Sequence, residues 1–65
     1  MVRVECFPKP DEVAAYMVCA RQADKNVGSG RDGEGKLILE FQTTDAALKF
    51  IGEAASQGFK VKISA

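Results

Sequence analysis

A chain of 65 residues that is 46% hydrophobic makes one small domain, residues 1–65, able to build a core but with little stability to spare. Nine basic and nine acidic residues cancel, a poor basis for any function that must neutralise many phosphates. Histidine is absent, so the usual acid–base side chain for catalysis near neutral pH is missing and no enzymatic activity is expected.

The chain opens on an alternating segment, Val2 to Phe7, with Val2, Val4 and Cys6 on one side and Arg3, Glu5 and Phe7 on the other. That period of two predicts a half-buried strand. Pro8-Lys9-Pro10 stops it. Pro10 suits the first turn of a helix, where its missing N–H is not needed, and Asp11 and Glu12 suit the positive end of the helix dipole. Val13, Tyr16, Met17, Ala20 and Ala23 then share one helical face. Asp24 would fall on the same face, so the helix should end near Ala23.

Lys36 to Gln42 alternates again, with Leu37, Leu39 and Phe41 apolar on one side and Lys36, Ile38, Glu40 and Gln42 on the other. Thr43 or Thr44 is placed to cap a second helix, whose apolar face reads Ala47, Leu48, Phe50, Ile51, Ala54 and Ala55. Gly58 stands where a left-handed residue would end it. Phe59, Val61 and Ile63 alternate with Lys60, Lys62 and Ser64 to give a last strand.

Every strand has one apolar and one wet face, which places two helices on a single side of an open sheet. If Asn26 to Arg31 forms a short edge strand, Asp32-Gly33 turns the chain back into Lys36. The expected fold is therefore α+β, a two-layer ferredoxin-like β-α-β-β-α-β plait with a short second strand. The alternative is a three-stranded β-α-β-α-β arrangement in which that stretch is a loop.

Between the two halves lies Gly28-Ser29-Gly30-Arg31-Asp32-Gly33-Glu34-Gly35-Lys36. It satisfies both G-x-G-x-x-G and G-x-x-x-x-G-K, yet each motif needs a strand before the glycines and a helix after them. Here the order is reversed, and Leu37 stands where the second motif requires a hydroxyl for magnesium. A flexible loop rich in N–H groups, flanked by Arg31 and Lys36, could still grip an anion or an acidic group of a partner. Gly30, Arg31, Gly33 and Lys36, with Ile38 on the open face, are the candidate partner-binding residues.

In a plait that binds RNA, aromatic side chains on the two central strands stack bases. The corresponding positions here are Arg3, Glu5, Ile38 and Glu40, none of them aromatic, with Lys60 and Lys62 available to pair with Glu5. The alternative nucleic-acid reading uses Arg21, Lys25, Arg31 and Lys36 as a basic edge. Met1, Phe7 and Ile38 could instead seed a patch that joins two copies face to face as a homodimer.

Cys6 and Cys19 lack metal-site spacing and are read as two reduced thiols, so neither a metal nor a cofactor is expected. No apolar run is long enough to span a membrane, and the N-terminus is unlike a signal peptide. The composite expectation is a cytoplasmic protein–protein interaction module, acting as a regulator, inhibitor or self-assembling subunit.

Overall fold

The computed structural model describes residues 1–64 as six elements in the order expected of a plait. They are β1 (Val2–Cys6), α1 (Val13–Ala23), β2 (Gly28–Arg31), β3 (Leu37–Phe41), α2 (Thr44–Ser56) and β4 (Val61–Ser64). The sheet order is β2-β3-β1-β4, every neighbouring pair antiparallel. This is the four-stranded ferredoxin-like topology, with both helices on one face, and the three-stranded alternative is set aside.

The core is made where the sheet's period of two meets the helices' period of 3.6. Val4 and Cys6 of β1 and Leu37, Leu39 and Phe41 of β3 face inward, against Tyr16, Cys19 and Ala20 of α1 and Ala47, Phe50 and Ala54 of α2. The Phe41 and Phe50 rings meet with centroids 5.2 Å apart. Tyr16 stacks on Phe59 at 4.1 Å, and its buried hydroxyl accepts the Lys60 N–H at 2.9 Å. That hydrogen bond satisfies the polar tip of an otherwise apolar side chain.

Several boundaries shift from the expected ones. Pro10 to Glu12 forms a turn, closed by the Glu12 N–H on the Lys9 carbonyl at 2.8 Å, and α1 begins only at Val13. Phe59 lies outside β4 and packs against Tyr16 instead of joining the strand alternation. Leu48, read as part of the α2 core face, is 53% exposed, and Ala55 is exposed too. The buried stripe of α2 is narrower than its apolar stripe because a two-layer domain covers only one side of each helix.

Caps and turns explain the ends that do match. Thr43 accepts the Ala46 N–H at 3.1 Å and starts α2. Gly58 takes φ +77° beyond its C-terminus. Asp24 ends α1, and its carboxylate accepts the Asn26 N–H at 2.9 Å and the Gln42 N–H at 2.8 Å. One side chain thereby clamps the entry to β2 against the exit from β3.

The turn between β2 and β3 is not the two-residue Asp32-Gly33 turn. Asp32 and Lys36 close a three-residue loop, with the Gly35 N–H on the Asp32 carbonyl and the Asp32 N–H on the Lys36 carbonyl, both at 3.1 Å. The left-handed residue is Gly35, at φ +84°, whereas Gly33 keeps ordinary backbone angles. This is the hairpin in which a type I turn is followed by a glycine bulge. Gly35→Ala should therefore cost about 1–2 kcal/mol, while Gly33→Ala, with open space around its position, should stay within about 0.5 kcal/mol. Urea denaturation of the two variants checks the order, and equal losses would contradict it.

Candidate functional site

The hairpin end of the sheet gathers most of the residues singled out in the sequence. Gly30 and Arg31 lie on β2, Gly33 in the turn, Lys36 at its close and Ile38 on β3. The register sets Gly30 opposite Ile38. The loop cations, however, are engaged by groups of the same chain. Arg31 donates to the Gly35 carbonyl at 3.0 Å, and Lys36 Nζ donates to Glu5 at 2.7 Å with Asp32 3.7 Å away.

Backbone donors of the turn at Glu34 and Lys36 are also engaged. Asp32 Oδ1 accepts the N–H of Glu34 at 2.9 Å and that of Lys36 at 2.8 Å. The loop thus fills its own anion-binding geometry with a carboxylate from the same chain, and the small-anion reading loses those donors. Asp32 carries its own signal in the sequence, since aspartate favours the first position of such turns.

Charge on β1 and β3 of the open face is paired in the same way. Arg3 lies 4.0 Å from Glu40 across β1 and β3. Glu5, expected to pair with Lys60 and Lys62, takes Lys36 as its direct partner instead. Lys62 faces Glu5 in register and contributes only a weaker attraction, while Lys60 sits before β4, opposite Phe7. Ile38 is half-buried beside these pairs.

Met1 and Phe7 flank opposite ends of β1, about 20 Å apart along the strand, with charged Arg3 and Glu5 between them. Ile38 stands opposite Glu5, one step along the same face from Phe7 and far from Met1. Arg21 and Lys25 also stand apart from the loop cations. They occupy the end of α1 and the turn after it, near the Gly28 end of β2, whereas Arg31 and Lys36 mark the other end.

Two clefts share Phe7 at the hairpin end. One, of about 180 Å³, lies among Phe7, Pro8, Glu34, Gly35 and Lys36. The other, of about 240 Å³, is lined by Phe7, Lys9, Glu12, Tyr16, Gly58 and Lys60. Pro8 was not among the candidates, because nothing in the sequence shows that the turn after β1 folds against the hairpin.

The Glu5–Lys36–Asp32 cluster gives stability a defined pH dependence. The hydrogen bond from Lys36 holds Glu5 below the ordinary carboxylate value, and the backbone bond from Lys36 N–H does the same for Asp32. The bond to Glu5 raises Lys36. The carboxylate contribution is complete above the unfolded values and is lost as pH falls through the lower folded ones. The Lys36 contribution is complete below its unfolded value and is lost as pH rises through the folded one. Thermal midpoints should therefore hold level between about pH 5 and pH 8, above which ionisation of the two thiols in the unfolded chain begins to lower them. Lys36→Met should flatten the acid limb only partly, because Asp32 keeps its backbone donors. An unchanged acid limb would contradict the assignment.

Both cysteines are free thiols in the core. Burial, with Cys19 nearby, pushes the Cys6 thiol up to about 12, and burial raises Cys19 as well. Neither is a ready nucleophile at neutral pH. Among the described residues no helix is long and apolar enough to cross a membrane. Comparison with family models, curated proteins and solved structures gives no match, so the assignment of function rests on the molecule's own surfaces.

Proposed function

We propose that this chain is a cytoplasmic protein–protein interaction module that takes up a partner strand along the β2 edge. The observation behind this reading is the edge itself. All four residues of β2, Gly-Ser-Gly-Arg, are exposed. The Asp32–Lys36 bond fixes the phase of the ladder, so Gly28 and Gly30 bond inward to β3. The N–H and C=O groups of Ser29 and Arg31 then point outward, a row that an extended segment can complete by strand addition.

The neighbouring features favour this use. The two glycines present no side chain to obstruct an approaching backbone, and the Asp32-capped turn holds the edge extended. Arg31 and Lys36 act here as braces for the strand rather than as ligands for an anion. A second copy of the chain is one admissible partner, since a two-fold pairing centred on Gly30 sets glycine against glycine. Binding by occupancy needs no catalytic group, in keeping with two thiols buried in the core.

Ser29→Pro tests the reading because it deletes an outward N–H and leaves the bonds to β3 intact. Gly30→Lys is a second variant, with open space at that position and a charge that guards the edge. Both should keep the wild-type circular dichroism spectrum. Both should weaken any nuclease-resistant partner recovered from lysate, or self-association measured by sedimentation, by more than tenfold. Retention of the partner by both folded variants would exclude the β2 edge.

A further inference from the structure

The opposite edge of the sheet has a different chemistry. The Phe7 N–H on the Lys60 carbonyl at 3.0 Å fixes the ladder phase of β4. Lys62 then bonds inward to Glu5, while the backbone groups of Val61 and Ile63 point outward. Their side chains face the helix layer, opposite Cys6 and Val4, and Ile63 is 47% exposed there.

Helix α2 packs over this edge and supplies a second apolar wall. α2 also packs against α1, which the right-handed crossover from β1 carries over the β3–β2 half of the sheet, away from β4 and on the Glu53 flank of α2. On a 3.6-residue helix the opposite flank carries Leu48, Ile51 and Ala55. α2 starts where β3 ends, and β4 runs back to that end, so exposed Leu48 and Ile63 belong to the same end of the domain. The result is an unpaired strand edge running beside an apolar helix flank.

The other side of β4 is basic. Lys60 and Lys62 are exposed, and among the described residues neither lies within 4.0 Å of a carboxylate. A second copy is a poor occupant, because antiparallel pairing of two β4 edges sets Lys62 against Lys62, Lys60 against Lys62, or Lys62 against Ser64, and none of these registers brings a carboxylate to the lysines. A strand with acidic residues on the lysine side and apolar residues on the Ile63 side satisfies both faces at once.

We propose that the β4–α2 groove binds an extended segment of a protein partner in which acidic and apolar residues alternate. This site is separate from the β2 edge and stands or falls independently of it. Backbone pairing with Val61 and Ile63 holds the segment, Leu48, Ile51 and Ile63 receive its apolar side chains, and Lys60 and Lys62 select its acidic ones.

The test is an amide-resolved NMR titration of the whole chain with a blocked Glu-Val-Glu-Val-Glu peptide and its Lys-Val-Lys-Val-Lys counterpart. The acidic peptide should shift the amides of Val61 to Ile63 and of Leu48 and Ile51, slow exchange of the Val61 and Ile63 N–H groups, and bind about tenfold tighter than the basic one. Lys60→Gln with Lys62→Gln, which places no new carboxylate beside Glu5, should erase the preference while the spectrum remains that of a folded domain. Equal binding of the two peptides, shifts confined to Ser29–Arg31, or no shift at millimolar peptide would each overturn the proposal.

Discussion

Replacing Phe50 by alanine should remove most of the folding free energy of this domain. Phe50 is fully buried, stands at the centre of the inward face of α2 and meets Phe41 of β3 across the two layers. Truncating a buried phenylalanine costs about 3–5 kcal/mol through lost transfer energy and the cavity left behind. A 65-residue chain has a total stability of roughly 3–10 kcal/mol. Among the described residues one core cluster holds the layers together, with no second one to replace it. Leu48→Ala, two positions earlier on the same helix, should cost less than about 1 kcal/mol, because Leu48 is largely exposed. Thermal denaturation followed by circular dichroism distinguishes the pair. Similar midpoints for the two variants would mean that the helix sits on the sheet in a different rotation.

That contrast also marks what the sequence could convey. The strands β1 and β3 were legible because alternation survives wherever one face is buried and the other wet. Thr43 and Gly58 were legible because capping is local chemistry. The difference between Phe50 and Leu48 was not, because both belong to one apolar stripe and only the third dimension decides which part the sheet covers. β2 was the hardest element to read. A Gly-Ser-Gly-Arg strand carries no hydrophobic pattern, and pairing with β3 together with the Asp24 and Asp32 clamps at its two ends holds it in place.

The candidate site was legible in position but not in electrostatics. The sequence drew attention to the glycine-rich stretch, and the hairpin does bring Arg31, Gly33 and Lys36 to one end of the sheet. Counting charges could not show that Lys36 would reach Glu5, which lies 31 positions earlier, or that Asp32 would occupy the loop's own donors. Long-range pairs depend on strand order, and strand order was itself the open question. The edges of the sheet, which are the surfaces left for a partner, emerge only once the order β2-β3-β1-β4 is known.

Alkylation of Cys6 by iodoacetamide should be at least about a hundredfold slower in the folded chain than in urea-unfolded chain at the same pH. Cys6 lies on a central strand at 0% exposure and Cys19 on α1 at 3%, so reagent reaches either only after the structure opens. Cys6 should open only with the whole domain, whereas Cys19 can be reached by local detachment of α1 and should react as fast or faster. Raising the pH toward 9 does not create a folded thiolate at Cys6, whose thiol is held near 12. It does favour the unfolded chain, where the thiol ionises near its ordinary value of about 8.5, so stability falls as pH rises through that range. The Phe50→Ala variant should lose protection at both thiols together, since the same core shields both. A folded-state rate for Cys6 within tenfold of the unfolded rate would show that β1 is accessible, which would refute both the core assignment and the inert role given to this thiol.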